Sequence, residues 1–243
     1  MKDNLTARQL QLLKVIVDEY IESAEPVGSQ VIEKKYSLGI SSATIRNEMG
    51  ELVDKGFLKQ PHTSAGRVPT PKALKFYISQ LMEEKHLSLT DEVRAKEEVS
   101  SYKGNVDRII NEATHGLARR TGALAVSALD DGSTWHAGYA SLFGNPGFSD
   151  MAVCRSVFGL IEESKRIHEL FFERLESGSP VEVLFGEELG WRFFEPVGVV
   201  ARQFTAGGKT GAIGVIGPLG FDYPYIIPTV RYFGDLIEEL SLQ

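Results

Sequence analysis

Four side chains within six residues, Ser42, Thr44, Arg46 and Asn47, have the types and spacing to do recognisable chemistry. An arginine can donate two parallel N–H bonds to O6 and N7 of guanine, and an asparagine amide can pair with adenine in the same way. Serine and threonine hydroxyls suit phosphate oxygens, which fix position without reading sequence. The set therefore reads as an edge that meets a nucleic-acid groove, with Arg46 on a base or a phosphate, Asn47 toward a base, and Ser42 and Thr44 toward phosphates. The plainer alternatives are a surface arginine paired with Glu48 or Glu51 and a solvated asparagine.

A helix must hold these groups in place. Ile45, Met49, Leu52 and Val53 recur at i, i+4, i+7 and i+8, which makes one buried stripe. Ser41 or Ser42 can cap its start, and Gly56 sits where a left-handed stop belongs. Ahead of it, a shorter helix runs from Gly28 or Ser29 to about Tyr36, with Val31 and Ile32 expected inward and Lys34 and Lys35 toward solvent or phosphate. Backbone N–H groups at Ser29 and Gln30 can face phosphate. Leu38-Gly39-Ile40 is the turn between the two helices, which gives a helix-turn-helix pattern. A first helix spans Thr6 to Ser23, with capping-box spacing between Thr6 and Gln9. Its stripe is Leu10, Leu13, Val17 and Ile21, widened by Leu12, Val15 and Ile16, and Pro26 ends it.

After Gly56, residues 57–60 read as a strand, 62–67 as a polar loop and Val68-Pro69 as the return. Such a hairpin wing can place Lys59, His62, Thr63, Ser64 and Arg67 on a phosphate backbone or in a minor groove. Gly66 is expected there for a positive φ. Thr70-Pro71 opens another helix, to about Lys85, with Leu74, Tyr77, Ile78 and Leu81 as its stripe.

The 243-residue chain has 42% hydrophobic and 24% charged residues, the profile of a globular protein with room for two small domains. It shows no apolar run long enough for a membrane span, no signal-peptide core and one cysteine, Cys154, all of which suit a cytoplasmic protein. Net charge is −7, but residues 27–75 hold 8 basic and 4 acidic side chains, a weakly basic window beside an acidic remainder. His115, His136 and His168 lack metal-ligand spacing, and Gly214-Val215-Ile216-Gly217-Pro218 lacks the lysine of a phosphate loop. No nucleophile has a legible partner, so neither an enzyme nor a cofactor is expected.

Residues 91–121 read as one charged helix, 122–129 and 135–139 as paired strands, and residues 143–148 as a loop. A helix from Ser149 or Asp150 to about Ser177 follows. Strands at 181–185, 197–204 and 210–216, a hairpin turn at 206–209 and a closing helix from Tyr223 to Leu240 complete the chain. The expected fold class is α+β, an antiparallel sheet with helices on one side.

Three stretches, LTARQLQLLKVIVDEYIESAEPVGS, SSATIRNEMGELVDKGFL and QPHTSAGRVPT, together resemble the DNA-binding domain of the HrcA family, bacterial heat-inducible transcription repressors. Leu142-Phe143-Gly144-Asn145-Pro146, Leu160-Ile161-Glu162 and the run from Gly214 to Tyr223 resemble its C-terminal region. The resemblance implies a winged helix-turn-helix domain at 1–85, a helical connector at 86–121 and a GAF-like domain at 122–243. It also implies double-stranded DNA with an inverted-repeat chaperone operator as partner, a homodimer, and a GroEL-type chaperonin as modulator. Family members carry an inserted dimerisation subdomain, whereas Leu129 passes to Trp135 here through a five-residue turn. Two alternatives stand beside this reading: a small-molecule-responsive regulator with a ligand-binding GAF-like domain, and a winged helix used only for protein contact.

Overall fold

Thr6 starts the first helix as its spacing predicts. Its hydroxyl accepts from Gln9 N–H at 3.2 Å, and its own N–H donates to Gln9 Oε1 at 3.3 Å. The computed structural model describes residues 5–143, 148–176 and 178–242, so most of the loop read at 143–148 lies outside the described residues. Contacts divide the chain into Met1–Glu83 and Glu84–Gln243.

The first unit runs α1 (Ala7–Ser23), α2 (Ser29–Lys35), α3 (Ser42–Asp54), β1 (Leu58–Lys59), β2 (Val68–Pro69) and α4 (Pro71–Gln80). In α1 Leu12, Leu13, Ile16 and Val17 of the expected stripe are buried, and the polar Gln9 is buried beside them. Leu10, Val15 and Ile21 of that stripe are only half-buried. Ile45, Met49 and Leu52 of α3 are buried as predicted, and Gly56 has φ 75°. In α2, Ile32 is fully buried but Val31 is 43% exposed, against the expectation that both face inward. The two short strands are antiparallel, with Leu58 opposite Pro69 and Lys59 opposite Val68. Thr70 caps α4, which ends at Gln80 rather than near Lys85. Tyr77 of α4 donates its hydroxyl to Asp18 of α1 at 2.6 Å.

The second unit is built on a five-stranded antiparallel sheet in the order β4-β3-β7-β6-β5. Its strands are β3 (Leu124–Leu129), β4 (Thr134–Ala137), β5 (Glu182–Phe185), β6 (Val197–Ala206) and β7 (Lys209–Pro218). β6 and β7 form one long hairpin, closed between Ala206 and Lys209. The expected single helix at 91–121 is two, α5 (Leu89–Ser100) and α6 (Val106–Thr121), with Gly104 at φ 83° between them. Ser88, not Thr90 or Asp91, caps α5. The stretch expected as a helical connector falls in the second unit, where α6 packs on β3, β4 and the closing helix α11 (Tyr223–Ser241).

Every residue of β3 is buried, which requires cover on both faces. On one face Ser127 meets Thr114 of α6, Oγ to Oγ1 at 2.7 Å. On the other, Leu124, Val126 and Ala128 join a core with Val153, Val157, Leu160 and Phe171. Helices therefore lie on both sides of the sheet, not one. The second set begins with short α7 (Ala140–Phe143) and the Asp150-capped α8 (Met151–Glu162). Glu163 leaves helical geometry, and α9 (Ser164–His168) then passes into a π-helical turn (Glu169–Glu173), so the long helix expected here is interrupted. A further short helix, α10 (Gly186–Leu189), follows β5. Cys154 is buried in the core, its Sγ 3.3 Å from the Phe148 carbonyl oxygen. Among the described residues no group of His, Cys, Asp and Glu is placed to hold a metal, and no helix is long and apolar enough to cross a membrane.

Candidate nucleic-acid interface

The starts of α2 and α3 meet along one edge, where Ser29 Oγ and Ser42 Oγ are 3.0 Å apart. The loop between β1 and β2 reaches the same edge because its end is fastened to the segment before α2. Val27 N–H donates to the Arg67 carbonyl and Arg67 N–H to the Val27 carbonyl, both at 2.8 Å. Gln60 folds the loop on itself, donating from Nε2 to the carbonyls of Thr63 at 2.9 Å and Ala65 at 3.0 Å. The result is an open cleft of about 600 Å³. It brings together Ser29, Gln30, Ser42, Arg46, Asn47, Ser64, Gly66 and Arg67. Lys59, His62 and Thr63 sit outside it, exposed on the hairpin, and Ser41 and Thr44 are not part of its wall.

Gly66 is not at a positive φ, so that expectation fails. Its requirement is close approach: a Cβ there would lie 2.5 Å from the carbonyl carbon and oxygen of Val27 and 2.7 Å from the Pro26 oxygen. Glycine is what lets the loop lie against the backbone before α2.

Arg46 and Asn47 are exposed. The carboxylates that compete for Arg46 are turned away. Glu48 accepts from Arg8 at 3.2 Å and from Gln9 Nε2 at 3.1 Å, and Glu51 accepts from Gln9 Nε2 at 2.7 Å. Lys55 Nζ donates to Gln9 Oε1 at 2.7 Å, so both ends of this buried amide are satisfied. Among the described residues Arg46 therefore has no acidic partner. Arg67 is half-buried, and its Nη1 reaches the Ala65 carbonyl at 3.4 Å, whereas its buried Nε has no acceptor among the described residues. An unmet buried N–H costs on the order of 1–3 kcal/mol, so the fold leaves part of this guanidinium's donor capacity unused.

Two other expected contacts are engaged inside the fold. Ser41, rather than Ser42, caps α3: its Oγ accepts from Thr44 N–H at 3.3 Å and lies 3.1 Å from Thr44 Oγ1. Lys35 pairs with Glu19 at 2.7 Å and Glu22 at 2.6 Å, and these hydrogen bonds raise its pKa. Burial, and then the bond to Glu19, push the Tyr36 phenol up to about 12, so it remains a donor at neutral pH. Sequence reasoning missed Glu33, whose Oε1 accepts from Ser42 N–H at 2.8 Å. No local pattern announces a carboxylate nine residues upstream of the group that it caps. It also missed Val27, because a single-residue bridge leaves no strand pattern.

The N-terminal unit thus presents a donor-rich, carboxylate-poor cleft. Comparison with known proteins supplies the family. The model for the HrcA protein C-terminal domain matches residues 70–227. A heat-inducible transcription repressor HrcA from Acetivibrio thermocellus is 45% identical over 121 residues, 50% of this chain and 32% of that protein. The protein of the same name from Syntrophobacter fumaroxidans is 24% identical over 339 residues, spanning 98% of this chain and 97% of its own. An alignment of 339 positions exceeds the 243 residues available, so that relative carries a long stretch with no counterpart here. A crystal structure described as a hypothetical protein superposes with a TM-score of 0.73 at 21% identity, covering 98% of each chain, which shows a shared fold. With the family model covering well over half of its length, the chain belongs to the HrcA family.

Proposed function

We propose that this chain is a transcription repressor that binds double-stranded DNA through the cleft of its N-terminal unit. In this reading the three helices and hairpin of residues 5–82 are a winged helix-turn-helix, and the second unit is GAF-like. The observation that carries the reading is the convergence of Arg46, Asn47 and Arg67 in one cleft, with the nearby carboxylates drawn off by α1. Relatives named heat-inducible transcription repressor support the regulatory role.

Arg46 and Asn47 then read base edges in a major groove, and Arg67 takes a phosphate through its guanidinium. Ser29, Gln30, Ser42 and Ser64 line the backbone path, Gly66 holds the loop in place, and Lys59, His62 and Thr63 extend the hairpin's contact. Ser41 and Thr44 act at one remove, by capping the reading helix. The operator is an inverted repeat that controls chaperone genes, read by two copies of α3 about a two-fold axis. A homodimer and a GroEL-type chaperonin partner complete the proposal.

The deciding experiment is binding of the purified chain to a chaperone-operator duplex and to a scrambled one across a salt series. Preference for the operator at every salt concentration is expected, and equal affinity for the two duplexes would sink the reading. Sedimentation of the free protein and of its complex tests the dimer.

A further inference from the structure

The cleft also holds two apolar side chains that hydrogen bonding leaves unused. Val31, the third residue of α2, is 43% exposed, and Ala43, the second residue of α3, is exposed as well. Both stand in the cleft wall with Arg46 and Asn47. Ala43, Arg46 and Asn47 are spaced i, i+3, i+4 and so share one face of α3. The inward place of α2 belongs to Ile32, which is fully buried, so Val31 faces the cleft without serving the core. A lone exposed aliphatic is ordinary. Two of them beside side chains with base-pairing geometry make a small apolar spot where a base edge would lie. The apolar group that a base pair presents in the major groove is the 5-methyl of thymine.

We propose that Val31 and Ala43 form a contact for a pyrimidine 5-methyl group, normally that of thymine, next to the bases met by Arg46 and Asn47. The inference rests on the DNA-binding reading above and names part of its sequence preference.

The test uses the full chain to select duplexes from a random pool. The recovered site is then resynthesised with deoxyuridine for each thymine in turn, which removes only the methyl, and with 5-methylcytosine for each cytosine. Burial of one methyl predicts that affinity falls about three- to fivefold at one or two thymines of a half-site. Val31→Thr, which keeps the shape and replaces a methyl by a hydroxyl, should shrink that loss while leaving the melting temperature unchanged. Tolerance of deoxyuridine at every thymine together with no gain from 5-methylcytosine overturns the inference and leaves DNA binding standing. Tighter binding with 5-methylcytosine and no loss with deoxyuridine overturns the choice of thymine. Recovery of no enriched sequence overturns both the inference and the reading beneath it.

Discussion

Arg46 and Gly66 make opposite demands on the N-terminal unit, one outward and one inward. Arg46 is exposed and holds nothing in the fold together, so Arg46→Ala should alter stability by less than about 0.5 kcal/mol. On the operator duplex the same change should cost about 1–3 kcal/mol of affinity, with a smaller loss on a scrambled duplex, as titration of both would show. Gly66→Ala should do the reverse. The added Cβ would lie 2.5 Å from the Val27 carbonyl, so the bridge to Val27 must open. A loss of about 1–3 kcal/mol in denaturant unfolding is expected, with binding weakened on both duplexes alike. Arg46 was legible from residue type and helix position. That Gly66 matters was legible too, but its reason was not, because a close approach to residues 26 and 27 depends on tertiary structure that spacing does not encode.

At the scale of elements, most helix starts read well and so did the ends of α1, α2, α6 and α11, whereas α4 and α8 stop short of their expected ends and α5 starts on Ser88. Thr6, Thr70 and Asp150 cap where their side chains and following residues say they should. The divisions at Gly104, with φ 83°, and at Glu163, with extended backbone, fall inside stretches whose apolar spacing continues. Gln9 shows the limit most clearly. Hydropathy assigns it to the surface, yet it is buried, because Glu48 and Glu51 of α3 and Lys55 just after it meet both ends of its amide. It therefore fixes α1 against the helix that carries Arg46. Gln9→Ala removes a capping partner of α1 and the amide that links Glu48, Glu51 and Lys55. A destabilisation of about 1–3 kcal/mol should follow, read by chemical denaturation. An unchanged unfolding midpoint would show that this network contributes nothing net.

For the molecule as a whole, the sheet's second helical layer was the largest feature that sequence reading missed. The apolar run of β3, broken only by Ser127, is the signal, since a strand buried on both faces has no alternation to show. The second unit also has a defined acid response. The Arg231 hydrogen bonds, both 2.8 Å long, hold Glu84 below the ordinary carboxylate value of 4.5. Burial pushes Glu98 up, but hydrogen bonds from Arg119 and Arg120 more than offset it. Lys209 holds Asp131 at about 2. Groups with depressed pKa values stabilise the folded state above their unfolded values, and that contribution disappears as pH falls through the folded ones. The melting temperature should therefore be flat above about pH 5 and fall progressively toward pH 2. Glu98→Gln should make that fall shallower, as thermal melts across a pH series would show.

The Glu33 carboxylate on Ser42 N–H has a consequence for how the protein would search a chromosome. It puts a fixed negative charge at the start of the reading helix, where an anion would otherwise be held, and a passing phosphate is repelled there. Random duplex, which offers only phosphates, meets that repulsion without compensation, whereas a cognate site offsets it with base contacts. Glu33 would then shorten each non-specific encounter and speed release toward the next. Glu33→Gln should lengthen dwell times on random DNA more than on the operator, a change visible as slower exchange between duplexes and a smaller specificity ratio.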